Sequence, residues 1–544
     1  MRRLVGALLF DTAPPTESGD KSPHSKMKRL LLAWLLPVCS GLLYALALPP
    51  FDVTELGWVA LIPLLFAIED CRPGEAFRRG YVAGLVFFGM TMWWLVHVSM
   101  PAPVALTAFL ALYFGAAAAW FARFTYAGTD SFGRNLLVAV VGTAGWVTLE
   151  WIRGHLVLGG FGWNGLGVTQ HRNVPFIQFA SLTGVYGVSA LVCFVNFAFF
   201  QTLRRFIRHL GTRSSRAERC GPLRRLSWEF YLAMTLVCGA FLHGLREMRA
   251  EEGTRSLRIA LVQGNIPQTL KFEPEQKPMI LERYRSLTES ILPLEPELII
   301  WPETATPEAL RYDLDSFELT TNLAQQANAY LLTGTIDVTP YSKPMEAFNG
   351  AILIRPDGTL GEIYRKIHLV PFGEYVPLRK ILPFMKYLTP IGDSFERGKD
   401  YTIFRLPELS FGAVICFEDT VPEVYRGFVK RGVDFVVNLT NDAWFKDSPA
   451  AAMHLANAVF RCAENRRWLI RSTNNGVTCA VDPYGVVRMR AEPFTASAKL
   501  FVPAFPAEQP VTFYTRHGDV FVAVCVMVTG LTLVAAPTRR RKLT

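Results

Sequence analysis

The chain has 544 residues, of which 51% are hydrophobic, and its mean hydropathy is +0.23. The length is too great for one ordinary core, and so much apolar sequence argues against a wholly soluble protein. The formal net charge of +10 could indicate nucleic-acid binding, but the arginines cluster at the ends of apolar runs, so we expect no nucleic-acid partner.

The first part of the chain predicts a membrane bundle. Residues 1–27 are polar and rich in Pro, Ser and Asp after a brief apolar run, which is typical of a disordered N-terminus and not of a cleaved signal peptide. Residues 28–250 hold seven apolar runs, most of them near the ~20 residues that a bilayer core requires. These runs lie at 30–48, 56–68, 80–98, 104–122, 135–152, 180–203 and 230–246.

The topology depends on residues 56–68, a run short enough to be a core helix, a re-entrant segment or a crossing. Counting it as a crossing places all the arginine clusters in the cytoplasm, as the positive-inside rule requires. With the final run at 518–536 this gives about eight spans and a basic cytoplasmic tail at 537–544. Residues 257–510 then lie on the outer face of the membrane, which in a bacterium is the periplasmic face. The clusters are Arg72, Arg78 and Arg79; Arg123 and Arg134; 204–225; and Arg539, Arg540 and Arg541.

Residues 257–510 have ordinary polarity and alternate short β-branched runs with amphipathic segments. This alternation predicts an α/β or layered α+β domain whose reactive side chains lie at strand ends. The predicted strands are SLRIALVQ, ELIIW, AYLLTGTI, GAILI, FGAVICF, DFVVNL and WLIRSTNNG, and the predicted helices span 274–291, 313–328, 421–431 and 450–466.

Three reactive side chains lie close to the ends of predicted strands in this domain. Glu303 occurs in LIIWPETATP, Lys366 in EIYRKIHLVPFGEYVP and Cys416 in FGAVICFED. A carboxylate, a cation and a thiol are the minimum equipment for acyl transfer through a thioester. The helix-like stretch after Cys416 predicts a lowered thiol pKa, because the positive end of a helix favours a thiolate.

Each of the three residues also has an ordinary structural interpretation. Cys416 could be a small buried apolar residue, Glu303 a helix cap behind Pro302, and Lys366 a solvated lysine. The joint pattern is more specific than its parts.

Glu303, Lys366 and Cys416, in this order and these surroundings, resemble the Glu-Lys-Cys triad of the nitrilase superfamily. LVQGNIPQ at 261–268, HLVPFGEYVP at 368–377, ICFE at 415–418 and NLTNDAWF at 438–445 resemble the apolipoprotein N-acyltransferase family in particular. The resemblance covers the chain from about residue 28 onward. It implies a membrane helical bundle joined to a nitrilase-like αββα sandwich.

The resemblance also implies a mechanism. Cys416 would take an acyl chain from a membrane phospholipid with Glu303 as base and Lys366 stabilising the oxyanion, and would pass it to the N-terminal amine of a diacylglyceryl-cysteine apolipoprotein. Glu374 and Glu418 match positions that the family uses, and we assign them to orienting Lys366 and the incoming amine; both could instead form loop ion pairs. We expect no cofactor, no metal near the site and a monomeric enzyme.

Three aromatic or apolar positions are assigned to lipid contact. Residues 378–395 form an apolar arm that includes Phe384 and Leu388, which is either a lid entering the outer leaflet or plain core. Phe272 stands where the family more often has Trp, and Phe417 where it more often has Tyr. Ring packing is expected to survive both changes. Hydrogen bonds from an indole N–H or a phenol O–H are expected to be lost.

Two other functions compete with this one. A membrane-tethered nitrilase-type amidase would need only residues 257–510. A transporter or lipid-binding scaffold would not need an intact triad, and its spans would be expected to hold more acidic residues than Glu150.

Overall fold

The computed structural model describes residues 23–124, 131–156, 159–211, 228–248, 253–339, 346–377 and 394–535. The described residues up to 248 are mainly helical, and their apolar composition suits a bilayer. Their bounds are α1 Pro23–Leu46, α2 Ile62–Ile68, α3 Pro73–Met92, α4 Pro101–Ala122, α5 Phe132–His155, α6 Val174–Ile177, α7 Ala180–Thr183, α8 Val185–Gly211 and α9 Trp228–Glu247.

Five of the described helical segments are long and apolar enough to cross a membrane: Pro73–His97, Pro101–Ala122, Phe132–His155, Val185–Arg208 and Trp228–Glu247. The predicted runs at 30–48, 56–68 and 518–536 correspond to shorter apolar helices, Leu31–Leu46, Thr54–Ile68 and Val520–Ala535. The membrane bundle is therefore confirmed, and the total of eight spans stays a prediction.

Small residues allow the closest helix contact in the bundle. A Cβ added at Gly80 would lie 2.4 Å from the Cβ of Ala118, and one at Gly84 would lie 2.8 Å from the Cα of Ala111. Without such side chains α3 and α4 approach closely, which is how membrane helices gain van der Waals contact where no hydrophobic force acts between them.

The second part of the chain is a sandwich of two six-stranded sheets. Its strands are β1 Arg255–Ser256, β2 Ile259–Gln263, β3 Leu298–Ile300, β4 Tyr330–Thr339, β5 Glu346–Ile354, β6 Leu360–Arg365, β7 Ile403–Arg405, β8 Ser410–Ile415, β9 Phe435–Thr440, β10 Trp468–Thr473, β11 Cys479–Val481, β12 Val487–Arg490, β13 Ser497–Phe501 and β14 Ala504–Phe505. Its helices are α10 Lys277–Ile291, α11 Leu314–Ala327, α12 Pro422–Val429, α13 Ala450–Asn465 and α14 Phe513–His517, and the last membrane helix is α15 Val520–Ala535.

One sheet has the strand order β13-β2-β3-β4-β5-β6 and the other β12-β11-β10-β9-β8-β7. The central pairs β2–β3, β3–β4, β8–β9 and β9–β10 are parallel, so their carboxyl ends share an edge. Side chains alternate between two cores, because successive residues of a strand face opposite sides.

In β2, Ile259 and Leu261 pack against the second sheet, whereas Ala260 and Val262 pack under α10 and α11. Ser472 Oγ also lies 3.1 Å from the carbonyl oxygens of Val262 and Ile300 in the facing sheet. The predicted αββα sandwich is confirmed. The predicted helices at 274–291, 313–328, 421–431 and 450–466 are also confirmed, with ends differing by a few residues.

Candidate active site

Cys416 sits at a sharp turn between a strand and a helix. The strand β8 ends at Ile415, and Cys416 has a φ of 52°, after which residues Cys416–Thr420 form a 3-10 turn. Asn438 Nδ2 on the neighbouring strand β9 donates to the Cys416 carbonyl oxygen at 2.9 Å. The left-handed backbone turns the half-buried thiol out of the sheet, and such strained residues are concentrated at functional sites.

The prediction of a lowered thiol pKa is wrong for this state of the protein. Burial raises the pKa of Cys416, and the Glu303 carboxylate raises it further, while the Lys366 ammonium opposes both. Desolvation is the largest cause, because burial disfavours the charged thiolate. Cys416 is therefore a neutral thiol at rest and needs a base when it attacks.

Glu303 lies just beyond the end of β3 and is buried. Asn349 Nδ2 donates to its Oε1 at 2.8 Å. Burial raises the pKa of Glu303, with Lys366 acting in the opposite direction. No helix starts at Glu303 in this part of the described chain, since α11 begins at Leu314 behind the N-cap Asp313, so the helix-cap interpretation is wrong.

Lys366 follows β6 and is 1% exposed, which excludes the solvated interpretation. Its Nζ lies 2.8 Å from Glu374 Oε2. Burial alone would lower the pKa of Lys366, but Glu374, Cys416 and Glu303 outweigh it and raise the pKa. Lys366 therefore carries a fixed positive charge beside Cys416, which suits the stabilisation of an oxyanion.

Asn349 on β5 joins the two carboxylates of the site. Its Nδ2 donates to Glu303 Oε1 and to Glu374 Oε1, each at 2.8 Å. The backbone carbonyl oxygen of Asn349 accepts from the backbone N–H of Lys366. Val370 N–H donates to Glu374 Oε2 at 2.9 Å. Glu374 thus contacts Lys366, and its predicted role in orienting that lysine stays a prediction; the sequence analysis missed Asn349, which contacts both carboxylates.

Glu418 is fully buried and holds the segment that carries Lys366. Its carboxylate accepts from Ile367 N–H and His368 N–H, each at 2.8 Å, and from the Tyr364 hydroxyl at 2.9 Å. It also accepts from Ile415 N–H at 2.8 Å, so it ties the Lys366 segment to the Cys416 turn. At 0% exposure it has no access to an incoming amine, and its contacts are those of an orienting residue.

Lys271 is a second buried cation that the sequence analysis did not select. It is 2% exposed, and its Nζ donates to the Glu303 carbonyl oxygen at 2.8 Å. Burial lowers the pKa of Lys271 to about 8, with Glu303 and Cys416 opposing that change. The sequence feature that could have indicated Lys271 is a lone lysine between apolar residues in TLKFE. This feature alone does not distinguish a buried lysine from an exposed one.

We expect Lys271→Met to shift the acidic limb of the pH–acylation-rate profile to higher pH. Lys271 lowers the pKa of Glu303, so its removal raises that pKa and leaves less carboxylate at a given pH. A shift of about one pH unit would reduce the rate roughly tenfold on that limb. Lys271→Arg, which keeps the charge, is the control, and an unshifted limb in Lys271→Met would exclude this electrostatic role.

Of the three predicted lipid-contact residues, only Phe272 lies among the described residues. Phe272, next to Lys271, is 50% exposed. Phe384 and Leu388 lie outside the described residues, as does most of the predicted arm at 378–395. The lid therefore stays a prediction.

The Cys416 turn packs directly on the membrane part of the chain. Phe417 stacks on Phe161 and Trp163, with ring centroids 6.2 and 5.8 Å apart, and Trp163 Nε1 donates to Thr420 Oγ1 at 3.1 Å. Phe161 and Trp163 belong to the loop that follows α5. Ring packing at Phe417 is thus present without a phenol hydroxyl.

Glu150 in α5 anchors this loop. Its Oε1 accepts from Leu166 N–H at 2.7 Å, and it lines a cavity of about 40 Å³ beneath Phe417 together with Arg153, Asn457 and Arg461. Glu150, the clearest acidic residue in the predicted spans, therefore has a structural partner at the junction.

His454 belongs to a buried polar network behind the Cys416 turn. It is buried on α13, and its Nε2 lies 2.8 Å from Asp419 Oδ1. Arg471 contacts both Asp419 and His454. This buried network supports the turn that follows Cys416 from behind.

Three possible metal ligands meet elsewhere in the described chain. His155, Glu423 and Asp519 have ligand atoms within 4.8 Å of one another. His155 is paired with Glu423, and Asp519 accepts from Trp151 Nε1 and the Tyr514 hydroxyl, so each already has protein partners. They link α5 to α12 and α15 and do not reach the triad.

Comparisons with known proteins cover both parts of the chain. The family models for the apolipoprotein N-acyltransferase N-terminal domain and for carbon-nitrogen hydrolase match residues 40–198 and 258–498. An apolipoprotein N-acyltransferase of Geobacter metallireducens is 34% identical over 94% of this chain and 96% of its own length. One from Chlorobaculum tepidum is 28% identical over 93% and 97%. A solved variant of a nitrilase-superfamily amidase from Nesterenkonia AN1 is 15% identical, with a TM-score of 0.37 over 51% of this chain and 98% of that chain.

Proposed function

This chain belongs to the apolipoprotein N-acyltransferase family, and we propose that it transfers an acyl chain from a membrane phospholipid, through a thioester on Cys416, to the N-terminal amine of a diacylglyceryl-cysteine apolipoprotein. The family prediction made from the sequence is confirmed. The donor, the acceptor chemistry and the residue roles are argued below from the site.

The first half-reaction forms the thioester. Glu303 takes the proton of the Cys416 thiol as the sulfur attacks the ester carbonyl of the phospholipid. The tetrahedral oxyanion forms beside the charged Lys366, which Glu374 holds in place. The carbon–oxygen bond then breaks, and Glu303 returns the proton to the leaving lysophospholipid.

The second half-reaction forms the amide. The α-amine of the acceptor attacks the thioester carbonyl, and Glu303 takes a proton from the amine. The carbon–sulfur bond breaks, the amide leaves, and the proton returns to the Cys416 sulfur. The raised pKa of Glu303 suits this shuttle, because a less acidic carboxyl is a stronger base for the thiol or amine proton.

The packing of Phe417 against Phe161 and Trp163 carries the proposal. The residue after the nucleophile contacts a loop of the membrane bundle, so the reactive thiol lies at the junction of the two parts. An acyl donor held in the membrane has access to such a thiol. A donor dissolved in water would not require this junction.

The intact mass of the purified protein, measured after exposure to a phospholipid of known acyl chain, tests the proposal. We expect a mass increase of one acyl group, which is lost when a diacylglyceryl-cysteine peptide is added and reappears on that peptide as an amide. Absence of the adduct together with absence of the amide product would refute the transferase.

The competing function is a membrane-tethered amidase that uses the same triad. It would release free acid from a small amide in water and would pass no acyl group to an added amine. The same assay separates the two functions, since the acyl chain ends either on the peptide or in solution.

We further propose that the chain lies in a bacterial inner membrane as a monomer, with its catalytic part, 257–510, in the periplasm and its two ends in the cytoplasm. The five long apolar helices support the membrane location, and the arginine clusters support the orientation. The predicted membrane segments are the bundle at 28–250 and the last helix at 518–536.

Reporter fusions test the orientation. We expect alkaline phosphatase to be active when fused after residue 256 and inactive when fused within 204–226, because the enzyme matures only outside the cytoplasm. A cytoplasmic reporter at the same two positions is the control and should give the opposite pattern. Inactive phosphatase after residue 256 would place the triad in the cytoplasm and exclude exported lipoproteins as acceptors.

A further inference from the structure

A basic cleft opens on the catalytic part, away from the triad. It has a volume of about 460 Å³ and lies between the start of β9, the start of β10 and the segment that leads into the last membrane helix. Four cationic residues and one acid line it: Arg255, Lys430, Arg467, Arg516 and Asp434.

The charge of the cleft is left largely unbalanced. Asp434 is paired with Arg255 at 2.8 Å and also accepts from Ser410 N–H, so it neutralises one cation. Lys430 and Arg516 are exposed and have no ion-pair partner within the described chain. Arg467 is buried and held by the carbonyl oxygens of Val433 and Pro510 at 2.9 and 2.7 Å, which fixes its guanidinium without neutralising it.

Two buried donors in the cleft lack acceptors. Arg255 Nε and Gln509 Nε2 are buried and have no hydrogen-bond partner among the described residues. A buried donor without an acceptor is unfavourable, so such groups indicate an acceptor supplied from elsewhere. Donors and cations together select an anion with several oxygens, and a phosphate group meets that requirement.

The cleft lies at the opposite edge of the sheet from Cys416. Asp434 and Arg467 directly precede β9 and β10, whereas Cys416 follows the end of the parallel strand β8. A strand of this length separates the two edges by roughly 20 Å. A group bound in the cleft therefore does not occupy the thioester site.

The cleft also borders the segment that leads into the last apolar helix. Thr515 and Arg516 line it and precede α15, whose Thr529 contacts Thr148 of the long apolar helix α5 at 3.1 Å between hydroxyl oxygens. A phosphate carried by a lipid therefore has access to the cleft from the membrane surface. The acyl chains of that lipid would stay in the bilayer next to α15.

We propose that this cleft binds the phosphate headgroup of an anionic phospholipid and so holds the catalytic part against the membrane surface, at a site separate from the one that consumes the acyl donor. Anionic lipids attract cations at the membrane surface, and the excess positive charge that remains after the Arg255–Asp434 pair favours such a lipid over a neutral one.

Hydrogen exchange of the full-length protein in nanodiscs tests the proposal at the cleft itself. We expect the backbone amides of segments 429–434 and 507–516 to exchange at least several-fold more slowly in phosphatidylglycerol nanodiscs than in phosphatidylcholine nanodiscs. The double variant Lys430→Gln, Arg516→Gln should lose this difference. The matched control Arg490→Gln, Lys499→Gln removes two exposed charges outside the cleft and should keep it.

Each other outcome overturns the proposal. Equal exchange in the two lipids, or protection that survives in the cleft variant, would mean that no anionic headgroup binds there. Equal protection by inorganic phosphate added to phosphatidylcholine nanodiscs would make the cleft a site for a soluble anion. None of these readouts depends on acyl transfer, so they are distinguishable from a failure of the proposed function.

Discussion

Cys416→Ala is expected to abolish the acyl adduct and to lower transfer by about 10⁴-fold or more, as removal of the nucleophile does in other covalent enzymes. The thiol sits at a left-handed turn that Asn438 and the Glu418 contacts hold in place, and those contacts use the backbone, so alanine keeps the turn. Intact mass after exposure to phospholipid measures the adduct, and hydroxylamine at neutral pH should release it from the wild-type protein.

Cys462→Ala is the matched control for this variant. Cys462 is a fully buried thiol on α13 of the same domain and takes no part in the triad. We expect it to acylate as the wild type does. An adduct located on Cys462 or Cys479, or undiminished transfer by Cys416→Ala, would remove Cys416 as the nucleophile.

The second large effect is expected for Glu303→Gln, which should slow acyl-enzyme formation by ~10²–10⁴-fold, the range for a positioned general base. Glutamine preserves the shape and can still accept from Asn349 Nδ2, but it does not take the thiol proton. Single-turnover acylation measures the effect, and Glu297→Gln, at a half-exposed carboxylate of the same domain, is the control.

Alkylation of Cys416 by a small reagent shows whether Glu303 acts as a base or only supports the structure of the site. The Glu303 carboxylate raises the pKa of Cys416, so its removal should lower the apparent pKa of alkylation while acyl transfer is lost. A disordered site would not produce these opposite changes. Wild-type acylation by Glu303→Gln would show that another group takes the proton.

The strands that sequence reasoning found are the apolar ones at the centre of each sheet. Those it missed, such as β6, β7 and β12, are short or half-exposed strands at sheet edges, where the alternation of apolar and polar residues is weak. The short helix α2 also shows why the span count stayed a prediction, because seven helical residues are equally typical of a core helix.

The sequence by itself determined the two-part architecture and the family and predicted the three reactive residues, because apolar run length, strand periodicity and motif order are local properties of the chain. The tertiary structure alone decided which residues act on the triad from a distance in sequence. Asn349 and Lys271 contact Glu303 only because β5 and the loop after β2 meet at the sheet edge. It also reversed the expected pKa of Cys416, since burial and the approach of Glu303 depend on packing, and no local pattern specifies either.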